Sequence, residues 1–103
     1  MDLKEVKEIS MKIREEYHKL EVKYHDSEWT IEEDALAFLT DAGIVGRLTM
    51  DNQGRWPGGN GKKLDEKIGE CVWWLAVLAE RMNLNFEECI EKFFDSKKRM
   101  IED

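Results

Sequence analysis

The chain is short of residues that cross-link or break a backbone: two Cys and one Pro in 103 residues. Cys71 and Cys89 both stand inside apolar segments, far too few for a disulfide framework and without metal-knuckle spacing, so they read as small buried thiols of a reducing compartment. Positive charge is also scarce. Sixteen Lys plus Arg against twenty-three Asp plus Glu leave a net charge of -7, which makes duplex nucleic acid and anionic membranes poor partners for the surface as a whole. The longest apolar run, CVWWLAVLA (71–79), falls well below the roughly twenty residues of a membrane span. The opening MDLKEVKEIS lacks the basic-then-apolar order of a secretory signal, and the expected location is cytoplasmic.

Several catalytic signatures are missing as well. No glycine-rich phosphate loop ends in Gly-Lys-Ser/Thr; GGNGKK (58–63) has the wrong spacing and no final hydroxyl. There is no metalloprotease His pair, calcium loop or nucleophile triad.

What the chain does have is 42% apolar residues, four Trp, four Phe and two Tyr, enough for a single folded domain over 1–103 but too little for two cores. A domain of this size removes only roughly 60–68% of its extended-chain surface from water. Support from a second chain is therefore expected, and some of the aromatics are expected at a subunit interface.

Leu3, Val6, Ile9, Ile13, Tyr17, Leu20 and Tyr24 recur every three or four residues and predict a first helix with one apolar packing stripe. His18 and His25 near its end lack the companions of a metal site. Thr30-Ile31-Glu32-Glu33 is a capping box that opens a second helix. Leu36, Phe38, Leu39, Ile44, Val45 and Leu48 give it a broad apolar surface, with Gly43 and Gly46 either allowing close helix contact or fraying its end. Asp41 lies within that surface and needs a Lys, an Arg, water or a metal beside it.

MDNQGRWPGGNGKK (50–63) breaks both periodicities and predicts a loop of unusual length. Arg55, Trp56, Lys62 and Lys63 could form a partly basic rim with a stacking ring for a nucleotide, or a solvent loop pinned by Trp56. A third helix is expected from Leu64 to Arg81 or Met82. Ile68, Val72, Leu75, Ala79 and Met82 line one side and Trp73 and Val77 another, which predicts a central helix. Glu66 and Glu70, one turn apart, can bring two carboxylates to one point, where a cation, a base or water must separate them. Asn85, with Glu88 at capping-box spacing, opens a fourth helix carrying Phe86, Cys89, Ile90, Phe93 and Phe94. Lys97, Lys98 and Arg99 follow, as helix-dipole complements or phosphate contacts. The fold class is all-α, with four helices.

Carboxylates on neighbouring helices can hold Mg²⁺, which bridges phosphate oxygens and generates a water nucleophile. KKLDEKIGECVWWLAVLAERMNLNFEECIEKFFDSKKR (62–99) resembles the second metal-binding helix, turn and following helix of the MazG-like nucleoside triphosphate pyrophosphohydrolases. WTIEEDALAFLTDAGIVGRL (29–48) resembles that family's first E-x-x-E helix. The first motif falls on Asp41 and Ile44, and the second, E-x-x-D, on Lys67 and Glu70. Two of the four positions are therefore acidic here, with Gly43 and Gly69 and the intervening spacing also similar.

The resemblance implies a four-helix domain that completes its core as a homodimer or homotetramer, with sites near subunit contacts. It also implies Mg²⁺-dependent hydrolysis of a (deoxy)nucleoside triphosphate to the monophosphate and pyrophosphate. Asp41, Glu66 and Glu70 would be the metal-binding and catalytic carboxylates, with Glu33 or Asp34 as other substitute ligands. Trp56 would stack on the base, and Lys62, Lys63 or Lys98 would offset phosphate charge. The alternative is a catalytically degenerate nucleotide-binding or regulatory relative, in which Asp41, Lys67 and Glu70 form an ion network in place of the metal.

Overall fold

The computed structural model describes residues 1–56 and 63–102. They form an all-α domain of four helices, α1 (Leu3–His25), α2 (Ile31–Asn52), α3 (Leu64–Arg81) and α4 (Phe86–Lys97), closed by a short 3₁₀ turn at Lys98–Met100. No strand occurs among the described residues. None of the helices is long and apolar enough to cross a membrane, again among the described residues.

The helix starts follow local chemistry. Asp2 and Glu5 build a reciprocal capping box on α1, as Thr30 and Glu33 do on α2. At α4 only half of the expected box is made: the Asn85 side chain accepts from the Glu88 amide at 2.9 Å. Each such cap satisfies an amide that the helix itself cannot. Between α3 and α4 the chain reverses through Asn83, whose φ of 61° lies in the left-handed region that Asn tolerates better than most residues.

Two expectations about α2 change. The helix continues to Asn52, into the stretch expected to be loop, because the backbone ladder carries on until Gln53 donates to the Thr49 carbonyl. Gly43 and Gly46 have no close helix neighbour among the described residues of the chain, and they do not fray the end. A Cβ added at either would meet nothing within 4 Å.

α3 is central, as expected, and packs against α1, α2 and α4. Its inner side chains Ala76 and Ala79 meet Phe86 from α4, with Val6 of α1 and Ile90 of α4 packed around them. The first helix, however, is rotated about its axis from the reading of its sequence, with Val6 still packed on the core and Tyr17 against Trp73. Its buried residues are Ser10 and Arg14, while Ile9, Ile13, Tyr17, Leu20 and Tyr24 remain substantially exposed.

The single chain is correspondingly open. Its radius of gyration is 16.3 Å, against about 13 Å for a compact domain of this length. Its accessible surface is 7948 Å², against about 6,100 Å² for a folded monomer of 12.2 kDa.

Candidate functional site

The site suggested by the sequence lies where α2 faces α3. Asp41 projects from the middle of α2, and Lys67 and Glu70 stand one turn apart on α3, so the three side chains converge. The Lys67 ammonium donates to Asp41 Oδ1 at 3.1 Å and to Glu70 Oε1 at 2.9 Å. Trp74 Nε1, one further turn along α3, donates to Asp41 Oδ2 at 2.8 Å. Both Asp41 oxygens are therefore engaged by fixed donors.

The electrostatics follow from these contacts. Burial alone would push the Asp41 carboxyl up, but the hydrogen bonds from Trp74 and Lys67 outweigh it and hold the group below the usual aspartate range. Lys67 is raised above an ordinary lysine, first by its bond to Glu70 and then by its bond to Asp41. Cys71, beside them, is raised by burial and further by the Asp41 and Glu70 charges, which favours the neutral thiol over the nucleophilic thiolate. The arrangement is an ionic clasp between two helices, with one ammonium shared by two carboxylates.

The expectation of a Mg²⁺ site on Asp41, Glu66 and Glu70 is corrected accordingly. Among the described residues no three His, Cys, Asp or Glu side chains are grouped so as to hold a metal ion. Lys67 places a positive charge between Asp41 and Glu70, where a divalent cation would have to compete with it. Glu66 does not join the cluster. It is exposed in the first turn of α3 and, with Glu70, borders a groove of about 590 Å³ between α1 and α3.

The substitute ligands are also committed elsewhere. Glu33 closes the cap on Thr30. Asp34 is completely buried and belongs to a second ion network, which the sequence reading missed. Arg14 donates to it through Nε at 3.2 Å and Nη2 at 2.7 Å, and Arg81 donates through Nη1 at 2.7 Å. The other side of the Arg14 guanidinium meets Glu21, at 2.7 Å from Nη1, and the cation lies over the rings of Trp29 and Trp74.

Burial would lower the Arg14 pKa, but its bonds to Asp34 and Glu21 raise it. Glu21, which burial would raise, is held low by Arg14, by the Trp29 amide and by His18. This network ties α1, α2 and α3 together. The one sequence signal for it was Ser10 and Arg14 in register four residues apart, a polar line beside the apolar stripe.

None of the described residues assigned to nucleotide binding is hydrogen-bonded to the clasp. Trp56 is partly exposed at the end of the first described segment, and the Arg47 guanidinium covers its ring at 4.5 Å from the centroid. Lys63 is exposed at the start of α3, and Lys62 lies outside the described residues. Lys98 sits beyond α4 in an exposed ion pair with Asp95. A cavity of about 330 Å³ near the clasp is instead walled by Tyr17, Tyr24, Trp29, Trp73 and Trp74, with Arg14 and Glu21 at its polar edge.

Comparisons with known protein families, with curated proteins and with solved structures each return no match.

Proposed function

We propose that this chain is a catalytically silent relative of the MazG-like pyrophosphohydrolases, working as a structural or regulatory binding protein. The observation that carries the reading is the Lys67 ammonium held between Asp41 and Glu70. In the resemblance, those three positions belong to the two acidic motifs. An internal cation there gives the carboxylates the counter-charge that a hydrolase would take from metal, and an ammonium lacks the Lewis acidity by which a metal turns water into a nucleophile. The other position of the first motif, Ile44, has no ligating atom.

Two further features support binding over turnover. Trp56 and Lys98, suited to base and phosphate contact, are engaged elsewhere, with Arg47 near the end of α2 and with Asp95 near the end of α4. The large aromatic side chains border an open cavity and two exposed helix faces, an arrangement suited to contacts with another molecule.

The test is a pyrophosphate-release assay over the common NTP and dNTP panel with Mg²⁺ present. No release above the protein-free rate is expected. Release that disappears in Glu70→Gln, with the helical circular dichroism unchanged, overturns the reading and restores the hydrolase.

A further inference from the structure

We propose that the aromatic-walled cavity between α1, α3 and the segment leading into α2 is a binding site for a small methylated ammonium compound. The proposal rests on the binding role given above and names its class of ligand. The cavity holds about 330 Å³, at the low end of the roughly 300–1,000 Å³ of small-molecule sites. Tyr17 and Tyr24 come from α1, Trp73 and Trp74 from α3, and Trp29 stands just before the Thr30 cap. Neighbouring rings are inclined like the panels of a cage. The Tyr17 and Trp73 centroids are 5.7 Å apart with their planes at 58°, and those of Trp73 and Trp74 are 4.4 Å apart at 52°.

Charge selects a cation. Arg14 and Arg81 are matched by Asp34 and Glu21, whereas at the clasp the single Lys67 ammonium serves both Asp41 and Glu70. One negative charge is left over, and Glu70, the more exposed of the two carboxylates, borders the cavity. The rings of the wall already attract cations: the Arg14 guanidinium lies 6.0 Å from the Trp29 centroid and 5.7 Å from that of Trp74, and the Lys23 ammonium lies 5.3 Å from that of Tyr24. An anion is not served in the same way, because the Arg14 side chain is 1% exposed and already bound by two carboxylates. The net charge of -7 further gathers cations around the chain.

The wall decides between a methylated and a primary ammonium. A primary ammonium brings three donors that need acceptors, and walls of aromatic rings offer few. A methylated one brings charge without that demand, the combination that aromatic cages recognise. The cage is also built in advance. Trp73 Nε1 donates to the Ser10 carbonyl at 3.1 Å, and Trp74 Nε1 to Asp41 Oδ2 at 2.8 Å. The Trp29 amide donates to Glu21 Oε1 at 2.7 Å, and its carbonyl accepts from Arg81 Nη1 at 3.1 Å. Both indoles of α3 and the backbone that carries Trp29 are therefore fixed before a ligand arrives, which lowers the ordering cost of binding. Tyr17 and Tyr24, exposed on α1, gain a role that the core does not give them.

An NMR titration of the full chain tests the proposal, with choline chloride as the probe, equal sodium chloride as the salt control and the assigned indole N–H signals as the readout. Saturable shifts are expected at Trp29, Trp73 and Trp74 and not at Trp56, which is outside the cavity wall, with half-saturation at millimolar choline or below. The neutral isostere of choline, with a tert-butyl group in place of the trimethylammonium, is expected to bind roughly ten-fold more weakly. Tyr24→Leu keeps apolar area and removes a ring from a well-exposed position, and Glu70→Gln removes the surplus charge. Each is expected to weaken choline binding about three-fold or more, while Tyr24→Phe retains it. No saturable shift at the three indoles, whether the cavity is then open or covered by another molecule, overturns the proposal. So does an isostere that binds as tightly as choline, or choline binding unchanged in both Tyr24→Leu and Glu70→Gln. A trimethyllysine peptide that binds at least about ten-fold more tightly than choline overturns the assignment to a free small molecule. The titration contains no nucleotide and no Mg²⁺, so its failure leaves the pyrophosphate assay standing and the two readings fail separately.

Discussion

Replacing Lys67 with Met keeps a long unbranched side chain and removes only the ammonium. Asp41 Oδ1 and Glu70 Oε1 then lose their shared donor. The consequences are unequal, because the Glu70 side chain is 39% exposed and rehydrates, whereas that of Asp41 is 13% exposed. A hydrogen bond to a charged group is worth about 1.5–3 kcal/mol. Trp74 keeps one Asp41 oxygen satisfied, and partial hydration offsets some of the loss, which puts the net destabilisation at about 2 kcal/mol. Urea denaturation followed by Trp fluorescence at fixed protein concentration would read this as a lowered midpoint with unchanged slope. Combining Lys67→Met with Asp41→Asn should give a coupling of about 1–2 kcal/mol.

The pH dependence adds a second check on the same variant. Asp41 is held low in the folded chain, so its contribution is present above the unfolded value of about 3.9 and is lost as pH falls through the folded one. Lys67 is raised, so its contribution is complete below about 10.4 and is lost as pH rises through its folded value. The stability gap between wild type and Lys67→Met should therefore be widest between these limits and close at both ends. A neutral-pH difference under about 0.5 kcal/mol, or no coupling with Asp41→Asn, would refute the clasp as an energetic unit.

Asp34→Asn removes the buried carboxylate that Arg14 and Arg81 share, leaving Arg14 with Glu21, and should cost about 3 kcal/mol, read in the same denaturation experiment; a loss below about 1 kcal/mol would mean that Glu21 alone compensates the Arg14 guanidinium. Thr30→Ala removes the cap of α2 and should cost about 1 kcal/mol, with the change confined to the unfolding midpoint. Gly43→Ala and Gly46→Ala sit in an uninterrupted helix with open space around the new methyl groups and should each stabilise by about 0.5–1 kcal/mol. A destabilising result at either would show that another chain packs closely there.

The readable part of this fold was the part governed by neighbours in sequence. Thr30-x-x-Glu33 and Asn85 marked helix starts because capping acts over three residues. The Leu64–Arg81 helix was visible in its apolar spacing. Arg14 was not, because its partner Asp34 lies on a second helix and shares its carboxylate with Arg81 on a third, and a periodic reading assigns every arginine to solvent. That error propagated: with Arg14 and Ser10 turned inward, the stripe of Ile9, Ile13, Tyr17 and Leu20 was displaced from the position expected of it. The Asp41–Lys67–Glu70 cluster was legible as residues in need of partners. Which counter-ion they used was a matter of geometry, since Lys67 and Asp41 are 26 residues apart.

The two ion networks and the exposed apolar faces have a common consequence. Among the described side chains with almost no exposure, the largest are Arg14, Val77 and Asp34, so two of the three largest fully buried groups are an ion pair. Such a pair costs nearly as much to desolvate as it returns in attraction, and it contributes geometry more than net stability. Arg14, Asp34 and Arg81 align α1, α2 and α3, and Asp41 with Lys67 aligns α2 and α3 a second time. Apolar burial is the larger source of folding energy, and here much of the apolar surface lies on the outside of the helices that these ions align. The ionic interior and the apolar exterior therefore divide the work: the ions set how one chain arranges its helices, and the exposed faces leave apolar area that the single chain does not use for its own stability.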